Sequence, residues 1–126
     1  MPISINRKLW YDGPNYTADS VIINPIAQKI LLIKRSSCEW ALPGGFINPK
    51  EDSFTAAIRE TREETGTIIS DNPILIYKGL VNDPRNSQTS WIETSAYLFI
   101  VNELSEVSGR DDAIDAAWLP LNNLPK

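Results

Sequence analysis

One stretch governs what this chain can become: Gly45 to Thr67, GFINPKEDSFTAAIRETREETGT. It follows a Pro43-Gly44 turn and closes on Gly66, and between them lies the one segment with clear helical periodicity, about Ser53 to Thr65. Asp52 or Ser53 is the expected N-cap, because a short oxygen side chain can accept the orphan N–H groups of a first turn. Gly66 is the expected stop, since glycine enters the left-handed region without a Cβ clash. On a helical wheel Phe54, Ile58, Thr61 and Thr65 form one stripe, flanked by Ala57, which should dock on a sheet. Glu60, Glu63 and Glu64 share the other side, with Glu60 and Glu64 one turn apart. Like charges at that spacing oppose helix formation by roughly 0.2–0.5 kcal/mol, and a bound cation reverses the sign. A solvated acidic face with an Arg59–Glu63 pair is the ordinary alternative for such a trio.

The remainder reads as short apolar segments between Gly, Pro, Asn and Asp punctuation, with no repeat, linker or low-complexity tract. DSVIINP and KILLIKR form two strands joined by a turn at Pro25 to Gln28, and WALPGGF forms a short strand broken at Pro43 and the two glycines. Beyond the helix, PILIYKGLV, WIETSAYLFIV and DAIDAAWLPL read as strands, with the turn-rich NDPRNSQTS between the first two. The order is β-β-β-α-β-β-β, an α/β arrangement in a single domain over residues 1–126.

Composition narrows the chemistry. With 126 residues and 42% hydrophobic content, the chain supports one modest core. The amino-terminal MPISINRKLWYDG has no apolar leader, and no apolar run is long enough to span a bilayer. The single cysteine, Cys38, allows no internal disulfide, and a reducing cytoplasm is the expected location. A formal charge of −4 gives nucleic acid little to bind. The chain contains no histidine at all, so catalysis and metal binding must rest on carboxylates, Lys, Tyr or a hard cation. An oxygen-only cluster suits Mg²⁺ or Mn²⁺, and the Gly44-Gly45 pair permits close backbone approach, so a main-chain carbonyl can join the glutamates. Glu51, eight residues before Arg59, is placed to anchor that guanidinium.

These residues resemble the Nudix box: Gly45, Glu51, Arg59, Glu60, the pair Glu63 and Glu64, and Gly66 occupy its fixed positions. Thr61 and Thr67 stand where the family normally carries bulky aliphatics, which predicts slightly weaker helix docking. The likeness extends over DGPNYTADSVI, IKRSSCEWALPGGF, YKGLVNDPRNSQTSWIETSAY and GRDDAIDAAWLPL, which are similar to the mitochondrial-type ADP-ribose pyrophosphatase branch of the family. The resemblance implies a Nudix-type α/β/α sandwich with a mixed sheet, and Mg²⁺-dependent hydrolysis of ADP-ribose to AMP and ribose 5-phosphate. The alternatives are another nucleoside diphosphate derivative, such as a nucleotide sugar or dinucleoside polyphosphate, or an ADP-ribose sensor without activity. Family members usually continue into a C-terminal helix over one sheet face, whereas this sequence stops at Lys126. Either that helix is dispensable or a second copy covers the face, so a homodimer is expected.

With that resemblance, the metal ligands expected are Glu60, Glu64 and the Gly44 carbonyl, with Glu63 serving an additional ion or its waters. Arg59, held by Glu51, orients Glu60 or Glu64, while Gly45, Glu51 and Gly66 are structural. Asp112, or its neighbour Asp111, is the candidate base, with Glu93 as a rival for either role. Arg35 and Arg85 are candidate phosphate contacts, and each is equally readable as a loop salt bridge. Trp91, like Trp10, Tyr11 and Trp40, offers a stacking surface for a base, although tryptophans in a small domain more often belong to the core, as expected of Trp118.

Overall fold

The computed structural model describes residues 9–69 and 72–125. The first eight residues, part of the amino-terminal stretch read above as carrying no leader, lie outside the described residues, as does Lys126. No helix among the described residues is long and apolar enough to cross a membrane.

Eight elements follow in order: β1 (Gly13–Asn24), β2 (Lys29–Arg35), β3 (Trp40–Ala41), β4 (Gly44–Phe46), α1 (Ser53–Thr65), β5 (Ile74–Leu80), β6 (Ser90–Ile100) and β7 (Ala113–Pro120). The helix bounds agree with the sequence expectation. Two strand expectations need correction. First, β1 starts six residues before Asp19, at Gly13, because parallel pairing with β6 from Gly13↔Ser90 to Ile23↔Ile100 extends it through the Gly-Pro-Asn punctuation. Second, WALPGGF is two strands rather than one, with Pro43 between them.

The sheet is mixed. β1 runs parallel to β6, and β6 pairs antiparallel with β5 at the edge. The other side of β1 is shared: Thr17 to Asp19 pair with β4, and Ile23 and Asn24 pair with β2. β2 pairs with β3 at Ile33 and Lys34, and with β7 along its length. β1 and β2 therefore touch only near their turn and then diverge. The β3–β4 segment fills the wedge, where the Ser20 N–H donates to the Pro43 carbonyl at 2.9 Å. This splay delivers Gly44 and Gly45 to the middle of β1, directly against α1.

The helix docks through small residues. Ala56, Ala57, Thr61 and Thr65 are fully buried, packing with Ala18, Ile22, Leu31, Ile69 and Phe99. Phe54, expected in the docking stripe, is instead 41% exposed, because the buried residues of the helix, Ala56, Ala57, Thr61, Glu64 and Thr65, begin only at Ala56 and leave Phe54 beyond their edge in the first turn. The two threonines that replace aliphatics in the family pattern are satisfied by hydrogen bonds. The Thr61 hydroxyl donates to the Ala57 carbonyl (2.8 Å) and lies 2.9 Å from Ser20 Oγ, and Thr67 Oγ1 lies 2.9 Å from Ser105 Oγ. Burial of each hydroxyl thus leaves no unmet hydrogen bond.

Both helix ends are chemically determined. Asp52 is the N-cap, its carboxylate accepting the Thr55 N–H at 2.9 Å. Gly66 ends the helix at φ +81°, its N–H returning to the Arg62 carbonyl. A Cβ on Gly66 would come within 2.8 Å of the Arg110 guanidinium. Gly66→Ala is therefore expected to lower unfolding stability by about 1–2 kcal/mol, read by denaturant titration, since the left-handed conformation alone costs about that much.

Candidate active site

Arg59 organises the site from the middle of α1. Its guanidinium donates to both oxygens of Glu51 (2.8 and 3.0 Å), to Glu60 Oε1 (2.9 Å), to Glu63 Oε1 (2.9 Å) and to the Phe46 carbonyl (3.1 Å). Glu51 also accepts the Asn48 N–H at 3.0 Å, so one fork ties the loop before α1 to β4 and to the helix acids. The hydrogen bonds to Glu51 above all raise the guanidinium pKa, and Arg59 in turn draws that of Glu51 down.

Glu60 and Glu64 face the β4 backbone and line a cleft of about 1010 Å³. Glu64 is 6% exposed and accepts the Gly44 N–H at 2.8 Å. Burial pushes its carboxyl up to about 7, the Gly44 N–H opposes this, and the neighbouring charge of Glu60 adds to it. Glu60 is also shifted up by burial, against the pull of Arg59. Gly45 lets the Glu60 carboxylate lie directly against β4, since a Cβ there would fall 2.6 Å from the Glu60 carboxyl carbon and push that side chain aside. Glu63 does not join this pair. It sits on Arg59 as an i,i+4 partner with its side chain 40% exposed, and it is not among the cleft-lining residues.

A second acidic segment hangs from the end of the helix. The Ser108 and Arg110 N–H groups donate to the Thr65 and Glu64 carbonyls, satisfying α1's last turn and holding Asp111 and Asp112 at the cleft. Asp111 adopts φ +55°, and its charge reaches both Glu60 and Glu64. Asp112 lines the same cleft beside it.

The two arginines differ. Arg35 lines the cleft from the bulged end of β2, and its positive charge reaches Glu64, Asp19 and Asp83. Arg85 also lines the cleft, but Asp83 grips it at Nε and Nη2, both at 2.9 Å, and it lies over the Phe46 ring at 5.5 Å. The salt-bridge alternative thus describes Arg85 in part, and Arg35 not at all among the described residues. Trp91 and Glu93 are not brought to the glutamates. Alternation along β6 sends them to the face opposite Ile92 and Thr94, where the Trp91 indole donates to Glu93 at 2.8 Å and both line a separate pocket. Trp10 and Tyr11 stand exposed at the cleft, and Trp118 packs against the core.

Sequence reasoning missed Asp19, a half-buried acid on β1 that lines the cleft and accepts the Thr94 hydroxyl at 2.7 Å. The signal was present as a carboxylate at the head of an apolar strand.

The donor set suits a hard divalent cation. Glu60 and Glu64 offer carboxylate oxygens one helical turn apart beside a glycine backbone, and Glu64 is buried with no Lys or Arg side chain bonded to it among the described residues. Among the described residues no three acids converge closely enough to cage an ion by themselves. The set that would hold one is Glu60, Glu64 and the Gly44 carbonyl.

The family model for the NUDIX domain matches residues 14–126. The chain is similar to ADP-ribose pyrophosphatase of Methanocaldococcus jannaschii, 37% identical over 92% of this chain and 68% of that protein. It is also similar to the mitochondrial ADP-ribose pyrophosphatase of Rattus norvegicus, 30% identical over 88% of this chain and 43% of that protein. The chain therefore spans less than half the length of the rat protein. Among solved structures, a Francisella tularensis bifunctional NMN adenylyltransferase/ADP ribose pyrophosphatase, complexed with AMP and a Mn ion, superposes with a TM-score of 0.67 at 27% identity, covering 90% of this chain and 36% of that one.

Proposed function

This chain belongs to the Nudix family, and from that premise we propose that it hydrolyses the diphosphate bond of ADP-ribose, giving AMP and ribose 5-phosphate, with a divalent cation such as Mg²⁺ or Mn²⁺. The observation that carries the reading is the pairing of Glu60 with the buried Glu64 beside the Gly44-Gly45 backbone, in a cleft large enough for a nucleoside diphosphate sugar. Relatives named ADP-ribose pyrophosphatase support the choice of substrate within the family.

The roles follow from the geometry. An anionic diphosphate is repelled by an acidic cleft, and a bound divalent cation supplies the compensating positive charge and makes water easier to deprotonate. Glu60 and Glu64 are the side chains that would hold it, and the Gly44 N–H keeps the Glu64 carboxylate aimed. Arg59 orients Glu60 and touches no substrate, acting as the outer partner that fixes a ligand's direction. Glu63 stays on Arg59 and tunes that fork. Arg35, which makes no ion pair among the described residues, is the cation best placed to take a phosphate oxygen. Asp111 and Asp112 hang over the same cleft and accept the proton of the attacking water.

Incubation with ADP-ribose and Mg²⁺ followed by chromatography tests the assignment. Equimolar AMP and ribose 5-phosphate are expected. Turnover confined to nucleotide sugars or dinucleoside polyphosphates would move the substrate elsewhere in the family, and tight binding of intact ADP-ribose would make the chain a sensor.

A further inference from the structure

Asp19 is a cleft acid with no part in the mechanism above. It sits in β1 between Ala18 and Ser20, whose side chains face α1, so strand alternation turns its carboxylate to the opposite face with Thr17. One oxygen, Oδ2, is tied by the Thr94 hydroxyl at 2.7 Å. The other, Oδ1, lies against the bare Cα of Gly44, where a Cβ would come within 2.2 Å of it. Glycine at 44 thus makes the room that this oxygen occupies at the cleft wall. Arg35 is the charged neighbour whose field reaches Asp19, yet no ion pair joins the two among the described residues.

A carboxylate accepts hydrogen bonds and donates none, and Oδ1, which takes no side-chain or backbone donor among the described residues and stays within reach of solvent, is free to accept one from a ligand. The group that completes it must therefore bring donors and must sit beside the phosphate bound by Arg35. In a nucleoside diphosphate sugar, the hydroxyls of the ribose next to the diphosphate meet both conditions. We infer that Asp19, held by Thr94 beside Gly44, is a specificity-determining acceptor for a ribose hydroxyl of the substrate. Arg35 takes the adjoining phosphate. The inference rests on the substrate class proposed above.

Asp19→Asn tests it, because asparagine can keep the Thr94 bond while removing the charge and half the acceptor capacity. Three compounds separate the sources of the hydroxyl: ADP-ribose, an analogue with a 2′,3′-dideoxygenated adenosine ribose, and the methyl ester of ADP, which lacks the distal ribose. For ADP-ribose, KM is expected to rise on the order of 10- to 100-fold with kcat nearly unchanged, the loss set by a hydrogen bond to a charged group. The penalty should vanish on whichever analogue lacks the recognised hydroxyl. Thr94→Val, which keeps the carboxylate but releases its tether, should give the same pattern at smaller size. An equal penalty on all three compounds, a loss in kcat alone, or no loss would overturn the assignment. Should the wild-type chain bind ADP-ribose without cleaving it, the hydrolase reading fails on its own. Calorimetric affinities for the same compounds in Mg²⁺ then decide about Asp19, and an Asp19→Asn chain that binds all three like wild type overturns it.

Discussion

Glu64→Gln is expected to abolish most turnover of ADP-ribose, by roughly 10²- to 10³-fold in kcat, while leaving the fold intact and the metal-free protein more stable at pH 8. Both effects come from one position. Glutamine can still accept the Gly44 N–H that Glu64 accepts at 2.8 Å, so the local geometry survives. It lacks the negative charge that a hard cation requires. That same charge is what burial penalises in the substrate-free chain, where the carboxyl is pushed up to about 7. A variant that loses activity and gains stability separates a functional cost from a structural one. Near-normal turnover in steady-state assays would reject Glu64 as a ligand.

Metal-free protein is expected to lose stability as pH rises from about 4.5 to 7, against the usual trend for paired carboxylates. The folded-state pKa of Glu64 is raised from 4.5 to about 7, so the native chain binds more protons than the unfolded one across that window. Stability from this group is complete below the unfolded value and is lost as pH passes the folded value. A shift of this size is worth roughly 3 kcal/mol. Glu60 and Asp19 are shifted in the same direction by burial and deepen the decline. Glu51 and Asp83, held low by hydrogen bonds to Arg59 and Arg85, act oppositely, their contribution being lost only under more acidic conditions. Denaturant melts from pH 4.5 to 8 in chelator should therefore show a maximum near the acidic end of the range, and a profile rising steadily to pH 8 would contradict the burial of Glu64 as an unpaired acid.

Much of this was legible because it is written in local chemistry. Asp52 and Gly66 mark helix ends through capping and φ alone, and the Glu51–Arg59 fork follows from two residues eight apart on either side of a helix entrance. What escaped depends on distant partners. The first six residues of β1 contain Gly, Pro and Asn, and only pairing with β6, nearly eighty residues on, makes them strand. Phe54 fits the apolar wheel, but the arc that tertiary packing buries is turned toward Glu64 and begins only at Ala56, which leaves the ring outside it. Glu64 reads as a surface acid by pattern and is buried because the β3–β4 wedge closes over it. Trp91 and Glu93 looked like site residues in one dimension, and strand alternation turned them to the other side of β6.

A single titration tests the central claim, that Glu60 and Glu64 are built to share a divalent cation. Thermal melts at pH 8, with and without Mg²⁺, should show the ion raising the melting temperature of the wild-type chain and recovering the stability lost since pH 4.5. The same ion should have little effect on Glu64→Gln. Equal stabilisation of both proteins, or of neither, would contradict the account.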